Sequence, residues 1–357
     1  MLYHKQQQLN KVLCREGLTK LFGKKVYFLA LKYIVCIFVE KIKKNSEKKN
    51  MEFTETGPSV VGISWSALHY KILNNYISEK DIYSVNSPLS RSDINIIANT
   101  VSLLEIIKKA FEYRKETNFA FALIITIEKE FFRALINKKF VKEVCIAGHY
   151  DRYVCSISEC VRGSNITLSV YQHGAVAALQ GLPEFYADKI CLQYSISRDI
   201  FEKFYICHEY ILCGPPDVKR IKEGVKLPRN EFSVLFIGQD KSPELNVEIL
   251  SVLISSLMKC GVKYQVYHLK HPRDDYVYRI KGNYKEITKT PINPNVVFSR
   301  YSSLAYVYHM LEYNVFFINV DDVVTDFMND LTVNKVSLSQ LMKVEYLKKI
   351  CSRIKFS

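Results

Sequence analysis

Short apolar runs alternate with longer helical patterns through most of this 357-residue chain. The alternation is clearest where the apolar run Phe232–Ile237 is followed by the turn Gly238-Gln239 and a helical pattern over Leu245–Cys260. Ser242-Pro243 suits the N-cap and first turn of that helix, and Gly261 suits its end. Strand–helix alternation predicts parallel sheets joined by right-handed crossovers, and therefore an α/β fold.

The other predicted elements continue this alternation. Predicted strands cover Val60–Ile63, Asp81–Val85, Phe119–Ile127, Val144–Ala147, Ile166–Tyr171, Ile190–Gln193, Tyr210–Cys213, Tyr264–Leu269, Val296–Phe298 and Val315–Val320. Predicted helices cover Ile94–Lys115, Glu130–Lys138, Ser302–Leu311 and Ser339–Ile354. The run Phe119–Ile127 is almost continuously apolar, which is typical of a strand that is covered on both faces.

The length of the chain and the breaks in this pattern predict two domains, because 357 residues exceed one small core. The pattern is interrupted at Gly214-Pro215-Pro216 and Leu227-Pro228. We therefore predict a basic helical leader over residues 1–50, a Rossmann-like domain over 51–213, a linker over 214–230 and a second Rossmann-like domain over 231–357. We expect the two domains to face a central cleft, since ligands of parallel sheets bind beyond the carboxyl ends of the strands.

The net charge of +14 is concentrated at the start of the chain. Residues 1–50 hold eleven Lys and one Arg against three Glu, a net charge of +9, whereas the rest of the chain carries +5. Such a basic segment indicates that it binds an anionic membrane surface or nucleic acid. The alternative is a solvated tail without a partner. No nucleic-acid-binding motif accompanies the charge, so we expect no nucleic-acid partner and keep that class as an alternative only.

Within this amphipathic leader, the run Val26–Val39 is apolar apart from Lys32. It falls short of the ~20 residues that a membrane-spanning helix needs, and it lacks a small-residue cleavage site. An interfacial helix on an anionic membrane is the preferred interpretation, with an ordinary core helix as the alternative. The expected location is therefore cytoplasmic and peripheral, on the inner face of the cell membrane.

The ten cysteines include no C-x-x-C pair and no Cys/His spacing that is typical of zinc sites. No D-x-D motif is placed to hold a divalent ion. The sequence therefore predicts no metal site and no cofactor.

Two polar clusters follow predicted strands in the second half. Ser302 and Ser303 begin a predicted helix, where free backbone N–H groups and the helix dipole favour an anion and two hydroxyls add donors for a phosphate. An ordinary N-cap serine is the alternative. His271-Pro272 ends another strand, and because proline restrains its own backbone and that of its predecessor, His271 is held where its imidazole can donate to a phosphate oxygen. Further candidates for the same phosphate site are Lys270, Gly238 and Gln239.

A third cluster, Gln172-His173-Gly174, ends a predicted strand in the first half. An imidazole with a pKa near 6.5 suits the removal of a proton from a hydroxyl group, and Gly174 permits close backbone approach. A hydrogen-bonded core histidine is the alternative. Three more polar residues are candidates to orient, assist or replace His173 as the base: His149, Asp151 and Glu184.

In chain order, one predicted strand is followed by His-Gly, a second by His-Pro, and a third by Ser-Ser at the start of a helix. This set resembles the bacterial sialyltransferase, polysialyltransferase and Kdo-transferase group over roughly residues 147–320. In that group an acidic pair with Gly carries the catalytic base, and a His-Pro motif and a serine pair contact the nucleotide phosphate. His271-Pro272 and Ser302-Ser303 match the last two motifs. Gln172-His173-Gly174 replaces the acidic pair and is similar to the CDP-glycerol and CDP-ribitol phosphate polymerases of teichoic acid synthesis.

The resemblance implies the two-domain GT-B fold and a glycosyltransferase that needs no metal. His173 would deprotonate the acceptor, while His271, Ser302 and Ser303 would bind the departing nucleotide of a CMP-activated donor. The implied donor sugar is similar to sialic acid or Kdo, and the implied acceptor is a bacterial surface polysaccharide, such as capsule or lipopolysaccharide, or a lipid-linked glycan. The 51–213 domain would then bind the acceptor, and the 231–357 domain the nucleotide sugar.

Two other functions stay open. The first is a CDP-activated polyol-phosphate transferase of capsule or teichoic acid synthesis, which would share the fold and the motifs. The second is a non-catalytic, membrane-attached scaffold of a polysaccharide assembly complex, which the basic leader and the missing acidic pair favour.

Overall fold

The computed structural model describes residues 18–46, 59–86, 89–98, 101–113, 119–138, 141–148, 152–174, 185–320, 327 and 330–354. The chain divides into two compact units, one of Met1–His173 with Leu179–Gly214 and one of Gly174–Ala178 with Pro215–Ser357. Each unit contains a six-stranded sheet in which every strand pair is parallel. The predicted α/β fold with two Rossmann-like domains is confirmed.

The first unit contains six strands and seven α-helices among the described residues. The strands are β1 (Val60–Ser64), β2 (Ile82–Ser84), β3 (Glu143–Ile146), β4 (Thr167–Tyr171), β5 (Tyr186–Leu192) and β6 (Ile206–Leu212). The helices are α1 (Leu18–Ser46), α2 (Ala67–Leu73), α3 (Arg91–Ala98), α4 (Leu103–Tyr113), α5 (Phe119–Lys138), α6 (Arg152–Val161) and α7 (Arg198–Phe204).

The second unit contains six strands and five α-helices in the part of the chain that is described. The strands are β7 (Phe232–Ile237), β8 (Tyr264–Leu269), β9 (Tyr284–Ile287), β10 (Val296–Ser299), β11 (Val315–Ile318) and β12 (Asn334–Val336). The helices are α8 (Asp217–Lys222), α9 (Pro243–Cys260), α10 (Ser303–Met310), α11 (Leu338–Leu341) and α12 (Val344–Arg353).

The strand order places a topological switch point in each sheet. The first sheet runs β2-β1-β3-β4-β5-β6, and the second runs β12-β11-β10-β7-β8-β9. The direction of winding therefore reverses between β1 and β3 in the first unit and between β7 and β10 in the second. Parallel sheets bind their ligands at such points, beyond the carboxyl ends of the strands.

Three predicted elements of the first and second units differ from the structure. The predicted strand Phe119–Ile127 is wrong, because these residues begin the 20-residue helix α5. Residues 120–128 are all buried, and a helix buried on every side shows no one-sided periodicity that separates it from a strand. The predicted helix Ile94–Lys115 is interrupted, since Ser102 and Glu105 form a capping box that starts α4. Likewise, the predicted helix Ser339–Ile354 is divided into α11 and α12.

Helix α1 belongs to the first unit, so its described part is no separate leader. Ala30, Tyr33 and Ile37 are buried, and the Tyr33 hydroxyl accepts a hydrogen bond from the Leu89 backbone N–H at 2.8 Å. The inner face of α1 therefore agrees with the alternative interpretation, in which this segment is an ordinary core helix. Among the helices of the described residues, none combines the length and apolarity that crossing a membrane requires.

Residues 215–230 of the predicted 214–230 linker are an ordered part of the second unit, whereas Gly214 belongs to the first. The 215–230 segment contains helix α8, and Val225 forms a parallel bridge with Pro291. Gly224 lies so close to the Thr290 carbonyl oxygen that an added Cβ would approach it to 2.2 Å. Only glycine fits there, because this contact is with backbone and leaves no side chain that could move away.

Candidate functional site

The second sheet brings the two predicted polar clusters of the second half to one edge, together with the candidates Gly238 and Gln239. Strand β7 lies between β10 and β8, and all three are parallel, so their carboxyl ends point the same way. The turn after β7 holds Gly238 and Gln239, the turn after β8 holds His271, and Ser302 and Ser303 follow β10. Since neighbouring strands lie about 4.8 Å apart, strands β8 and β10 are separated by about 10 Å where these two loops begin. That edge contains the switch point between β7 and β10.

Ser302 is the N-cap of helix α10. Its hydroxyl oxygen accepts a hydrogen bond from the Leu304 backbone N–H at 3.2 Å, and its own N–H donates to Ser299 Oγ at 3.3 Å. The Ser302 hydroxyl acts as an acceptor there, so its hydrogen can still be donated to a ligand. Ser302 and Ser303 are both partly exposed, at the positive end of the helix dipole. The capping role that was the alternative interpretation is therefore present, and it is compatible with phosphate binding.

Arg300 joins the loop after β10 to the start of helix α9. Its side chain is 1% exposed, and its Nη1 donates to the carbonyl oxygens of Lys241 at 2.7 Å and Ser242 at 3.2 Å, and to Asn246 Oδ1 at 3.2 Å. A guanidinium ion is costly to bury unless acceptors surround it. These contacts satisfy it and place a fixed positive charge two residues before Ser302.

Asn246 extends this network to the loop after β8. It is fully buried, and its Nδ2 donates to the Gln239 carbonyl oxygen at 2.7 Å and to the Tyr278 hydroxyl at 2.9 Å. Tyr278 in turn donates to Asp274 Oδ2 at 2.6 Å. A connected buried network of this kind rigidifies what it joins. All three loops of the edge are therefore held in one arrangement before any ligand binds.

His271 is presented as a neutral hydrogen-bond donor. Its side chain is 30% exposed, and its Nδ1 accepts the Arg273 backbone N–H at 3.2 Å. That bond leaves the proton on Nε2, the only other ring nitrogen. Burial lowers the pKa of His271 from its usual value, and Asp240 opposes that effect only in part. Near neutral pH, His271 therefore offers an Nε2–H group without carrying a charge.

Asp240 is the one carboxylate that contacts His271 among the described residues. Its Oδ2 lies 3.8 Å from His271 Nδ1 and 2.8 Å from Arg273 Nη2. The arginine is 74% exposed and the carboxylate 20%. Pairing with Arg273 offsets the negative charge that would otherwise repel an anion at His271.

Gly238, Gln239 and Lys270, the further candidates for the phosphate site, each make a contact within the protein. A Cβ on Gly238 would approach His268 Nε2 to 2.5 Å, so glycine is required there for packing against a buried imidazole. Gln239 is buried, and its carbonyl oxygen is taken by Asn246. Lys270 Nζ donates to the Tyr276 carbonyl oxygen at 2.6 Å, which directs its charge towards the segment after the turn.

His268 is a second buried imidazole, directly beneath this edge. Its Nδ1 lies 2.9 Å from the Tyr284 hydroxyl, which donates its own proton to Glu286 Oε1 at 3.2 Å. His268 must therefore carry its proton on Nδ1, and its Nε2 has no hydrogen-bond partner among the described residues. Burial lowers the pKa of His268 to about 4.

The predicted cap of helix α9 differs in its chemistry. Ser242 does occupy the N-cap position, with Pro243 in the first turn. Its backbone is left-handed, with φ at 54°, and its carbonyl oxygen is bonded to Arg300. The buried arginine thus bonds the backbone of Ser242, and the Ser242 hydroxyl does not act as the predicted cap.

The first sheet places His173 among aromatic rings. His173 follows β4, and its ring centroid lies 5.1 Å from that of His69, at an interplanar angle of 81°. Trp65 stacks edge-on against His69 at 4.8 Å and against Tyr153 at 5.7 Å. Burial, and then the neighbouring His173, lower the pKa of His69 to about 3. His69 is therefore uncharged near neutral pH.

Gln172 and Gly174 position this histidine. Gln172 is fully buried, its Nε2 donates to Ser197 Oγ at 2.8 Å, and its Oε1 accepts the Gln193 backbone N–H at 2.8 Å. Gly174 has a φ of 64°, a left-handed conformation that glycine adopts without strain. The two residues thus fix the chain on either side of His173.

Three predicted site residues, His149, Asp151 and Glu184, lie outside the described residues. Within the described ranges, no three His, Cys, Asp or Glu side chains are grouped as a metal site would need.

Sequence reasoning missed the roles of Arg300, Asn246 and His69. A signal existed for Asn246, because it stands on the apolar face of α9 with Ile249, Leu250 and Leu253, and a polar residue there needs a buried partner. Arg300 stands just before the predicted Ser302-Ser303 pair, but its acceptors lie at least 54 residues away in the chain. No local pattern marked His69.

The chain matches no protein-family model and no curated protein. It is similar to the structure of UDP-N-acetylglucosamine 2-epimerase from Rickettsia bellii, with 12% sequence identity, 85% of this chain and 89% of that chain covered, and a TM-score of 0.46. It is also similar to MurG from Acinetobacter baumannii, with 11% sequence identity, 83% of this chain and 91% of that chain covered, and a TM-score of 0.43. A third similar structure is the glycotransferase of kitacinnamycin, with 9% sequence identity, 83% of this chain and 90% of that chain covered, and a TM-score of 0.47. The resemblance to the sialyltransferase group stays a prediction.

Proposed function

We propose that the protein is a glycosyltransferase that takes a sugar from a nucleotide-activated donor, with the nucleotide held by the second unit. The observation that supports this most is the set of fixed donors at the carboxyl edge of β8, β7 and β10. His271 offers a neutral N–H group there, and Ser302 and Ser303 offer hydroxyls at a helix N-terminus. In finer detail, we propose a CMP-linked sugar similar to sialic acid or Kdo, and a bacterial surface polysaccharide or lipid-linked glycan as acceptor.

The chemistry of this edge suits a departing phosphate. When a sugar leaves its nucleotide, negative charge develops on the phosphate oxygens, and preorganised donors stabilise it without having to reorient. His271 is held by Arg273, Ser302 is held by its capping bond, and Arg300 is locked by three acceptors. Each donor or charge is therefore in place before the reaction begins.

The turn after β7 favours a nucleotide leaving group over a dinucleotide cofactor. A dinucleotide site needs three glycines in the pattern G-x-G-x-x-G after the first strand. Gly238 is the only glycine between Ile237 and Pro243. The His268 side chain also packs against Gly238 and occupies the space beside this glycine that a dinucleotide would need.

His173 is the proposed base in the first unit. It would remove the proton from the acceptor hydroxyl as the new bond to the sugar forms. The adjacent His69 is uncharged near neutral pH, so it places no positive charge beside the imidazole that accepts the proton. Trp65, in edge contact with His69, adds an aromatic ring of the kind that packs on the apolar face of a sugar.

A nucleotide-binding measurement tests the proposal. We expect one of CMP, CDP, UDP and GDP to raise the melting temperature, because a ligand at 100 times its Kd stabilises the folded state by about 2.7 kcal/mol. His271→Ala should weaken that binding about 10- to 100-fold through loss of a hydrogen bond to a charged group. His309→Ala is the matched control, since His309 lies near the opposite end of α10. A melting temperature that no nucleotide changes would favour the non-catalytic scaffold.

Turnover then separates the two enzyme functions. Purified protein would be incubated with an acceptor glycan and with CMP-sialic acid, CMP-Kdo or CDP-glycerol in turn. Release of CMP from a CMP-sugar, with extension of the glycan, supports the glycosyltransferase. Turnover of CDP-glycerol alone would replace it with the polyol-phosphate transferase, which uses the same motifs.

A further inference from the structure

Helix α1 has two apolar faces, and one of them is buried against other described residues of the first unit. The inner face contains Ala30, Tyr33 and Ile37, which are buried in the first unit. The opposite face exposes five large apolar side chains, each between 49% and 72% accessible to solvent, and we call them the outer stripe: Tyr27, Phe28, Leu31, Val35 and Phe38. At 100° per residue these five positions fall within an arc of about 100°, on the side opposite the inner face.

The outer stripe differs from an ordinary exposed helix face. A helix on the surface of a soluble domain normally turns charged and polar residues outwards, and contiguous apolar patches mark an interaction surface. From Tyr27 to Phe38 the stripe runs about 16 Å along the helix. It is therefore a continuous apolar strip, in contrast to isolated exposed residues such as Leu104 and Val277.

The charges around the stripe identify the kind of partner. Lys20, Lys24 and Lys25 precede the stripe, and Lys43 and Lys44 follow it on the same helix, while Lys32 is exposed beside it. The only acidic residue of α1, Glu40, is turned inwards and lies 2.6 Å from Arg91. Positive charge at both ends of an apolar strip complements a surface that is apolar inside and anionic outside.

We propose that the outer stripe of α1 lies in the interface of an anionic lipid bilayer, with the helix axis parallel to the membrane. The five apolar side chains would enter the boundary between headgroups and acyl chains, and the lysines would contact anionic headgroups. A second copy of the chain fits less well. Because both ends of the helix are basic, either a parallel or an antiparallel pair would bring like charges together. This inference does not depend on the proposed transfer reaction.

Vesicle sedimentation with the full-length protein tests the proposal. The protein should sediment with vesicles of phosphatidylcholine and phosphatidylglycerol in equal amounts, and far less with phosphatidylcholine alone. Phe28→Gln, Leu31→Gln and Val35→Gln together should weaken binding about 100-fold or more, since each removes a large apolar side chain from the interface. These residues are exposed, so circular dichroism and the melting temperature should stay those of the wild type.

The matched control makes the same kind of change outside the stripe. Leu104→Gln, Val277→Gln and Leu331→Gln replace three side chains that are 73% to 99% exposed, and this variant should bind vesicles as the wild type does. A second variant, Lys32→Glu with Lys43→Glu, should weaken binding at least about tenfold without touching the stripe.

Three results would overturn the proposal. One is a wild-type protein that stays in solution with the anionic vesicles. Another is a stripe variant that binds as tightly as the control variant. The third is a wild-type dimer that the stripe variant converts to a monomer in analytical ultracentrifugation, which would identify a second copy as the occupant of the stripe.

Discussion

The carboxyl edges of the two sheets have similar topology and different chemistry. In the first unit, the edge around β1 and β4 is built from rings, with Trp65, His69 and His173 in edge-to-face contact. In the second unit, the edge around β7 and β10 is built from hydrogen bonds, with the guanidinium of Arg300 at their centre. The topology thus supplies a place for a ligand, and the side chains decide which ligand it suits.

This difference indicates a division of labour. The ring cluster of the first unit holds two imidazoles and an indole, which suit proton transfer and packing on a sugar. The edge of the second unit holds N–H and O–H donors near a buried cation, which suit a phosphate. The basic ring nitrogen of His271 already accepts the Arg273 backbone N–H, so it is not free to take a proton from a substrate.

The largest expected effect comes from replacing one histidine at each edge. His173→Ala should lower kcat about 10²- to 10⁴-fold with little change in nucleotide affinity, because it removes the proposed general base. His271→Ala should mainly weaken nucleotide binding. Steady-state kinetics at saturating donor, together with nucleotide titrations, would separate the two. The exposed His208 provides the control, and a His173→Ala protein with wild-type kcat would remove the first unit from the chemistry.

Arg300→Met should produce the largest loss of stability, and only in the second unit. It leaves the carbonyl oxygens of Lys241 and Ser242 and the Asn246 side chain without their cationic donor, at a cost of about 3 kcal/mol. The corresponding fall in melting temperature is roughly 10 °C, which calorimetry would measure. Arg273→Met is the control, since Arg273 is 74% exposed and its ion pair should contribute less than about 1 kcal/mol. Equal losses in the two variants would show that the network does not hold the edge together.

The sequence predicted local features of these edges well and non-local ones poorly. The bounds of β7 and β8 agree with the predictions at every residue, because both are short apolar runs that end in turn residues. The clusters also reached the expected edge, since parallel strands must end together. The position of Ser302 as a helix N-cap could be predicted for the same local reason.

The features that escaped prediction depend on contacts between distant parts of the chain. Whether the apolar residues of α5 form a strand or a helix depends on what surrounds them, because burial on all sides erases the periodic signal. The acceptors of Arg300 lie on the other side of the switch point, after β7 and at the start of α9. The residues next to Arg300 in the sequence give no sign of these partners. His69 reaches His173 only because α2 follows β1 at the first edge.

Acid should destabilise both edges through one buried histidine in each. The pKa of His69 is lowered to about 3 and that of His268 to about 4, so folding favours their neutral forms. Their stabilising contribution is therefore complete above the unfolded pKa near 6.5 and is lost as the pH falls below it. At pH 5 each histidine should cost about 2 kcal/mol relative to pH 7.5.

Urea unfolding at pH 7.5 and pH 5 would measure this loss. His69→Gln and His268→Gln should each reduce the acid-induced loss of unfolding free energy by about 2 kcal/mol, whereas His208→Gln should leave it unchanged. Below pH 4 the two edges should diverge, because His268 then becomes protonated in the folded state while His69 continues to resist protonation. A variant that keeps the full acid sensitivity of the wild type would show that its histidine is already accessible to protons in the folded protein.

The smallest effect gives the sharpest comparison, because each edge has one serine cap of the same kind. Ser66 Oγ accepts the His69 backbone N–H at 3.1 Å at the start of α2, and Ser302 Oγ accepts the Leu304 backbone N–H at 3.2 Å at the start of α10. Ser66→Ala and Ser302→Ala should therefore each lower the unfolding free energy by about 1 kcal/mol. Only Ser302→Ala should also weaken nucleotide binding, and Ser303→Ala should weaken it with little change in stability. If Ser66→Ala reduced nucleotide affinity as much as Ser302→Ala did, the loss would follow from helix stability alone, and the serine pair would have no direct role at the phosphate.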